Sequence, residues 1–332
     1  MQDRLALGRK WFAKKKWIPF QFQLEAWESY LNGQSGIVNA PTGSGKTYSL
    51  VIPIILEAFT NGNDSKKGLQ AIWLTPIRAL AKEIKYSAEL AIAEMGLDWK
   101  VGIRSGDTTL TERKKQKDNP PQFLITTPES LHLLIAQKGY NNYFKNLKVV
   151  VTDEWHELMG SKRGVQVELA LSRLKYVATN LKIWGISATI GNMDESMQVL
   201  LGDYFAKKKH KTIKADIEKK IEIHSIMPDD HEKLPWTGHL GIHLLDKVVE
   251  IIKESNATLI FTNTRSFAEI WYQKLLDKAP ELSGQIAMHH GSISLDLRNW
   301  VEEQLHVGKI KAVVCTSSLD LGVDFRPVET VI

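Results

Sequence analysis

Short apolar runs alternate with longer stretches of helical period along the first 190 residues. The runs predict strands at Gly36–Asn39, Leu69–Thr75, Val101–Arg104, Gln122–Thr127, Lys148–Thr152 and Lys182–Ser187. Helical spacing fills most intervals, notably Ile77–Met95 and Gly164–Val177. Runs apolar throughout, separated by helices, predict an α/β fold with a parallel sheet covered on both faces. From Phe205 the pattern changes. A Lys-rich stretch precedes one strand-like run, Ile221–Ile226, and then Met227-Pro228-Asp229-Asp230, which together read as a connection. A second alternation follows: helix Leu240–Lys253, strand Thr258–Thr262, helix Ser266–Leu276, strand Ile286–His290, helix Leu295–Val307, strand Lys311–Thr316. The last residues, Thr330-Val331-Ile332, look like the start of another strand, so the second domain is expected to be incomplete. The expected organisation is residues 1–205, a connection at 206–236, and a partial second domain at 237–332. No internal repeat or low-complexity tract interrupts it.

Candidate chemistry sits just after the strands, where parallel sheets bind ligands. Ala40-Pro41-Thr42-Gly43-Ser44-Gly45-Lys46-Thr47 links the first strand to a helical stretch, Tyr48–Phe59. Strand, glycine-rich turn and helix together make a phosphate cradle, with backbone N–H groups aimed at anionic oxygens. The pattern G-x-x-x-x-G-K-[ST] is met except at its first position, which is Ala40. Lys46 is expected to reach the β- and γ-phosphates of a nucleotide, and the Thr47 hydroxyl to ligate Mg²⁺. A triphosphatase also needs acids at the end of another strand, and Asp153-Glu154 follows Val149-Val150-Val151-Thr152. Asp153 is expected to hold Mg²⁺ through water and Glu154 to deprotonate the attacking water. The same pair would also serve as acids compensating a helix dipole.

Composition narrows the class. Hydrophobic residues make up 43% and charged residues 24% of 332, as in ordinary globular proteins. No run approaches the ~18 apolar residues that span a bilayer, and the first residues lack a signal-peptide core. A single cysteine, Cys315, excludes an intrachain disulfide and multi-cysteine metal sites, and fits a cytoplasmic setting. A net charge of +5, with clusters at 14–16, 113–117 and 207–211, is compatible with a polyanion partner or with solvated loops.

Taken together, the cradle and Asp153-Glu154-Trp155-His156 resemble the superfamily 2 helicases of DExH type, and the superfamily's other motifs appear in order. Gln23 looks like the adenine-reading glutamine. Ser187-Ala188-Thr189 resembles motif III, which with His156 implies coupling of hydrolysis to nucleic-acid binding. Thr75-Pro76-Ile77-Arg78 resembles motif Ia, Arg104-Ser105-Gly106 the glycine motif, and Thr127-Pro128-Glu129 part of motif Ib. Hydroxyls, backbone N–H groups and helix N-termini at such junctions hold phosphates without reading bases. Taken singly, each is also a plain helix cap. Thr264-Arg265 falls in a motif IV-like phrase, and Thr316 to Asp324 resembles motif V. The resemblance implies nucleic acid at Thr316 and nucleotide at Gly322 and Asp324. A metal at His289-His290 is not expected, for want of nearby Cys or carboxylate ligands.

Longer phrases, among them Trp17-Ile18-Pro19-Phe20-Gln21-Phe22-Gln23, Pro235-Trp236-Thr237-Gly238-His239-Leu240 and Leu319-Asp320-Leu321-Gly322-Val323-Asp324, resemble the Lhr-like (large helicase-related) proteins and their ligase-associated DNA helicase branch. This implies two RecA-like lobes, with ATP and Mg²⁺ as cofactors. It implies 3′ to 5′ translocation on single-stranded DNA and unwinding of duplexes with a 3′ tail or of RNA–DNA hybrids. It also implies a bacterial, nucleoid-associated role in DNA repair, with a DNA ligase and a metallo-β-lactamase-fold nuclease as functional neighbours. The family's motif VI, with its arginine finger, would come after Ile332. Such fingers are worth ~10³–10⁵ in rate, so this chain alone is expected to bind ATP and hydrolyse it poorly. An ATP-gated nucleic-acid-binding module, or an RNA helicase, are the alternatives.

Overall fold

The computed structural model describes residues 2–60, 68–76, 78–217, 221–227, 241–319 and 328–332. The chain divides into two units, Met1–Glu218 and Lys219–Ile332.

The first unit is built on seven strands: β1 (Ser35–Asn39), β2 (Ala71–Leu74), β3 (Val101–Arg104), β4 (Phe123–Thr126), β5 (Val149–Thr152), β6 (Lys182–Ser187) and β7 (His210–Lys214). They pair in parallel in the order β3-β4-β2-β5-β6-β1-β7. Parallel neighbours require crossovers, and helices supply them. These are α1 (Gln2–Lys14), α2 (Gln21–Leu31), α3 (Lys46–Thr60), α4 (Arg78–Met95), α5 (Leu110–Asp118), α6 (Pro128–Ile135), α7 (Tyr140–Phe144), α8 (Trp155–Leu158), α9 (Lys162–Val177), α10 (Met193–Leu201) and α11 (Tyr204–Lys207).

Side chains on a strand alternate between faces, and the two cores follow that period. Val38, Trp73, Val149, Val151 and Trp184 pack with α1 to α4 on one face. Ile37, Ile72, Leu74, Val150 and Ile183 pack with α6, α9 and α10 on the other. Both faces are dry, which explains strands apolar throughout rather than alternating.

The expected connection at 206–236 differs from what is found. Residues 210–214 form the edge strand β7 beside β1. Only Ile213 of this strand is buried, so the sequence carries no apolar run there. The strand-like run Ile221–Ile226 forms no strand, and most of its residues are exposed.

In the second unit, α12 (Leu245–Glu254), β8 (Thr258–Phe261), α13 (Arg265–Lys278), β9 (Ile286–His289), α14 (Leu295–His306), β10 (Ala312–Cys315) and β11 (Thr330–Val331) make a parallel sheet of order β11-β8-β10-β9. Val248, Ile252, Trp271 and Leu275 cover one face, and Val301, Leu305 and Ile310 the other. The chain is thus two parallel-sheet α/β lobes, as the alternation predicts. No described helix is long and apolar enough to cross a membrane.

Candidate nucleotide site and nucleic-acid junctions

The loop between β1 and α3 turns on two glycines in the left-handed region, Gly43 at φ 77° and Gly45 at φ 74°. An L side chain is disfavoured there. Thr42 and Gly43 are exposed, whereas Ser44 folds inward and donates from Oγ to the Pro41 carbonyl at 2.6 Å. Pro41 and Thr47 are half-buried. Lys46 opens α3 and is 8% exposed.

Gln23 lies on α2 and reaches this loop. Its Nε2 donates to the Gly45 carbonyl at 3.0 Å, and its Oε1 accepts the Phe20 N–H at 2.9 Å. The side chain is 2% exposed. Each end of the amide keeps one further hydrogen-bonding position. Gln23 therefore braces the loop, a role the sequence did not signal.

The acids lie at the end of β5, two strands from β1. Asp153 is fixed on both oxygens: Trp73 Nε1–H donates to Oδ2 and the Glu154 N–H to Oδ1, each at 3.0 Å. Burial, and then the adjacent Glu154 charge, push the Asp153 carboxyl up to about 6 from an ordinary 3.8; the Trp73 bond and Lys46 oppose this. Glu154 sits at φ 45° and ψ 50°, left-handed for a non-glycine residue. Such backbone costs about 1–2 kcal/mol. It turns the carboxylate toward Lys46, whose Nζ lies 3.3 Å from Oε1. On its other side His156 Nδ1 lies 3.5 Å from Glu154 Oε2 and 2.8 Å from Ser187 Oγ. Ser187 ends β6, and its carbonyl accepts the Ala40 N–H at 3.0 Å. Cradle, acids and the Ser187 strand end therefore form one connected network. Thr189 is exposed beside it.

The junctions expected to grip nucleic acid are less uniform. Thr75 and Thr127 are buried, and Thr127 caps α6 by accepting the Ser130 N–H. Pro76 is buried and Glu129 exposed. Arg163, at the start of α9, bridges them. Its Nε and Nη2 donate to Glu129 Oε1 and Oε2 at 2.7 and 3.2 Å, and its Nη1 to the Pro76 carbonyl at 2.7 Å. Arg78 opens α4. Arg104, expected to hold nucleic acid, is only 5% exposed; it turns inward, with Nη1 donating to the Arg113 carbonyl at 3.3 Å. Burial lowers its pKa. Ser105 is buried and Gly106 exposed, their carbonyls each accepting from Arg113 Nη2 at 3.0 Å.

In the second lobe, Thr264 caps α13 by accepting the Phe267 N–H. Thr264, Arg265, Gly291 and Thr316 line a cavity of about 630 Å³ at the ends of β8, β9 and β10. Arg265 Nη1 donates to Ser292 Oγ. His289 Nε2 lies 3.0 Å from Glu302 Oε1, and His290 Nδ1 accepts the Ser292 N–H at 3.2 Å. Gly322 and Asp324 lie outside the described residues.

Two residues of these sites escaped the sequence reading. Trp73 had one signal, an indole N–H inside a buried strand, which must find an acceptor. Arg163 had none beyond its place shortly after the acidic tetrad.

A DEAD/DEAH box helicase family model matches residues 20–196, more than half of the chain. The chain belongs to this family. A helicase conserved C-terminal domain matches residues 242–332. Over 90% of its length this chain is 32% identical to the ATP-dependent helicase Lhr-Core of Methanothermobacter thermautotrophicus, covering 36% of that protein. It is 28% identical to the Lhr helicase/probable uracil glycosylase of Mycolicibacterium smegmatis, covering 98% of this chain and 24% of the relative. Among solved structures, Mycobacterium smegmatis helicase Lhr bound to ssDNA and AMP-PNP has a TM-score of 0.79 at 30% identity, covering 98% of this chain and 43% of that one. The chain therefore spans less than half the length of these relatives. It is an Lhr-like superfamily 2 helicase with two RecA-like lobes, and that membership implies ATP binding.

Proposed function

We propose that this chain is the motor part of an ATP-dependent DNA helicase. It moves 3′ to 5′ on single-stranded DNA, unwinds 3′-tailed duplexes or RNA–DNA hybrids in DNA repair, and belongs to the ligase-associated branch. The observation that carries the enzymatic reading is the buried contact between Lys46 and Glu154, 3.3 Å apart. A lysine at a phosphate cradle facing a carboxylate held in left-handed backbone is a poised pair. Phosphate oxygens entering the cradle compete for Lys46 and release Glu154. The freed carboxylate then orients water and takes its proton as the γ-phosphate is attacked. Gln23 holds the loop and turns its remaining positions to adenine. His156 and Ser187 carry the change at Glu154 to the end of β6.

A divalent cation suits the acids. Two buried carboxylates face one lysine, and burial, then the Glu154 charge beside it, raise the Asp153 pKa. Asp153 and Thr47 are hard oxygen donors of the kind Mg²⁺ takes. When bound there, Mg²⁺ neutralises charge on the β- and γ-phosphates. Thr75, Pro76, Arg78, Thr127 and Glu129 in the first lobe, and Thr264, Arg265 and Thr316 in the second, serve the nucleic-acid strand. Arg104 and Ser105 support that surface from beneath, and Gly106 is exposed on it.

ATP turnover with and without single-stranded DNA, followed by strand displacement on 3′- and 5′-tailed duplexes, tests the reading. Slow turnover by this chain that single-stranded DNA stimulates, with displacement only from the 3′ tail, is expected. Nucleotide-dependent DNA binding without displacement leaves an ATP-gated binding module instead. Preference for RNA in competition makes it an RNA helicase.

A further inference from the structure

We propose that Arg163 is a positioning residue that fixes the spacing of the two first-lobe junctions and ties both to the acidic tetrad. This rests on the reading that the junctions hold a nucleic-acid strand. The fork spans neighbouring strands, because β4 pairs with β2 and β2 with β5. Pro76 follows β2, Glu129 follows β4, and α9 follows β5 and α8. One guanidinium thus joins three adjacent strand ends.

The far end of the link is as tight. Ser161 caps α9 by accepting the Gly164 N–H at 3.2 Å, and its Oγ donates to the Leu158 carbonyl at 2.6 Å. A Cβ on Gly164 would lie 2.1 Å from that carbonyl oxygen, so only glycine lets α9 start against α8. Glu154 is the N-cap of α8. A shift at Glu154 therefore reaches Arg163 through backbone contact, and Pro76 and Glu129 through the fork.

Charge gives the fork a second task. A free Glu129 carboxylate and an uncovered Pro76 carbonyl would both repel a phosphate beside α4 and α6. Arg163 covers both; partial burial raises the Glu129 pKa, but the Arg163 bonds, with a backbone N–H, outweigh it and lower the pKa. Lysine would keep the charge, but its point ammonium cannot make two parallel bonds to a carboxylate and a third to a carbonyl.

The test is labelled oligo-dT binding by the whole chain, with and without a non-hydrolysable ATP analogue and Mg²⁺, for wild type, Arg163→Ala, Arg163→Lys, Glu129→Gln and the double variant Arg163→Ala/Glu129→Gln. Both Arg163 variants are expected to lose about tenfold in DNA affinity, the scale of one charge-assisted bond set. Analogue affinity without DNA stays within about twofold of wild type, since the fork lies outside the cradle. The change in DNA affinity caused by the analogue shrinks in both, which a merely structural loss would not produce. Glu129→Gln loses less, and the double variant is no weaker than Arg163→Ala. Full rescue by Arg163→Lys makes Arg163 a simple phosphate contact and overturns the proposal. So does additive loss in the double variant, or unchanged binding in both Arg163 variants. Glu129→Gln breaks the fork from an exposed position, so it decides the matter if Arg163→Ala misfolds. Wild type that does not bind oligo-dT refutes the proposed function itself, whatever the variants do.

Discussion

Both lobes carry hydroxyls and an arginine at the ends of parallel strands, yet they handle charge in opposite ways. The first buries Lys46, Asp153 and Glu154 together, each under a tenth exposed. The second keeps Thr264 and Arg265 in the open, around a cavity of about 630 Å³. Of its two buried histidines, His289 lies against the half-buried Glu302. Parallel sheets place side chains at strand ends in either case. Desolvation separates the two: charges removed from water act strongly on one another and on a reacting group. Exposed hydroxyls and guanidinium groups can grip a polyanion and release it. The fold thus supplies two similar frames that differ in how far their charged groups are withdrawn from water.

The comparison breaks most visibly at Glu154. Glu154→Gln keeps the shape but neither takes a proton nor balances Lys46. ATP turnover should fall about 10²–10⁴-fold, the range for a lost general base, while ATP-analogue affinity, measured by titration calorimetry, stays near wild type. Retained turnover would remove Glu154 from the chemistry. Lys46→Ala comes next. It deletes the cation between the cradle and the acids, so analogue affinity should drop by about tenfold to a hundredfold. The unpaired carboxylates should also destabilise the chain by about 3 kcal/mol, read by urea denaturation. Unchanged analogue binding would place the phosphates elsewhere.

Much of this was legible in the residues alone. Apolar runs located ten of the eleven described strands, most plainly where burial was two-sided, as in Val149-Val150-Val151; β7, with Ile213 alone buried, stayed hidden. Glycine and lysine spacing marked the cradle because phosphate binding constrains the backbone itself. Glu154's left-handed backbone, the Trp73 bond to Asp153 and the Arg163 fork were not legible. Each joins residues distant in sequence through a single side-chain geometry, and no local pattern encodes that. The burial of Arg104 was not legible either, since nothing in its neighbourhood in the sequence shows that its guanidinium turns inward to the Arg113 carbonyl.

Asp153 gives a smaller effect with a defined sign. Its folded pKa, about 6, lies above the ordinary 3.8, so the folded state holds the proton more tightly. Its contribution to stability is present below 3.8 and lost as pH rises through 6, by about 3 kcal/mol at most. Asp153→Asn cannot titrate, and it forfeits one of the two N–H bonds at every pH. The readout is therefore the pH dependence of the difference between the two unfolding free energies, measured without metal. Asp153→Asn should gain on wild type between pH 4 and 7, in line with the folded value of about 6. Parallel curves would mean that Asp153 is not desolvated as described.

The smallest effect belongs to the open lobe. Arg265 is exposed and engages only the Ser292 hydroxyl among its described hydrogen bonds, so Arg265→Ala leaves no buried charge unpaired. If it grips a phosphate, its loss should weaken single-stranded DNA binding by about 1 kcal/mol and reduce the salt slope by about one. Analogue affinity and stability should stay within error of wild type, in contrast to Lys46→Ala. Binding isotherms at several salt concentrations measure both quantities. An unchanged slope would mean that Arg265 only positions the loop at Ser292. An effect on nucleotide affinity as large as that of Lys46→Ala would place Arg265 at the nucleotide rather than at the strand.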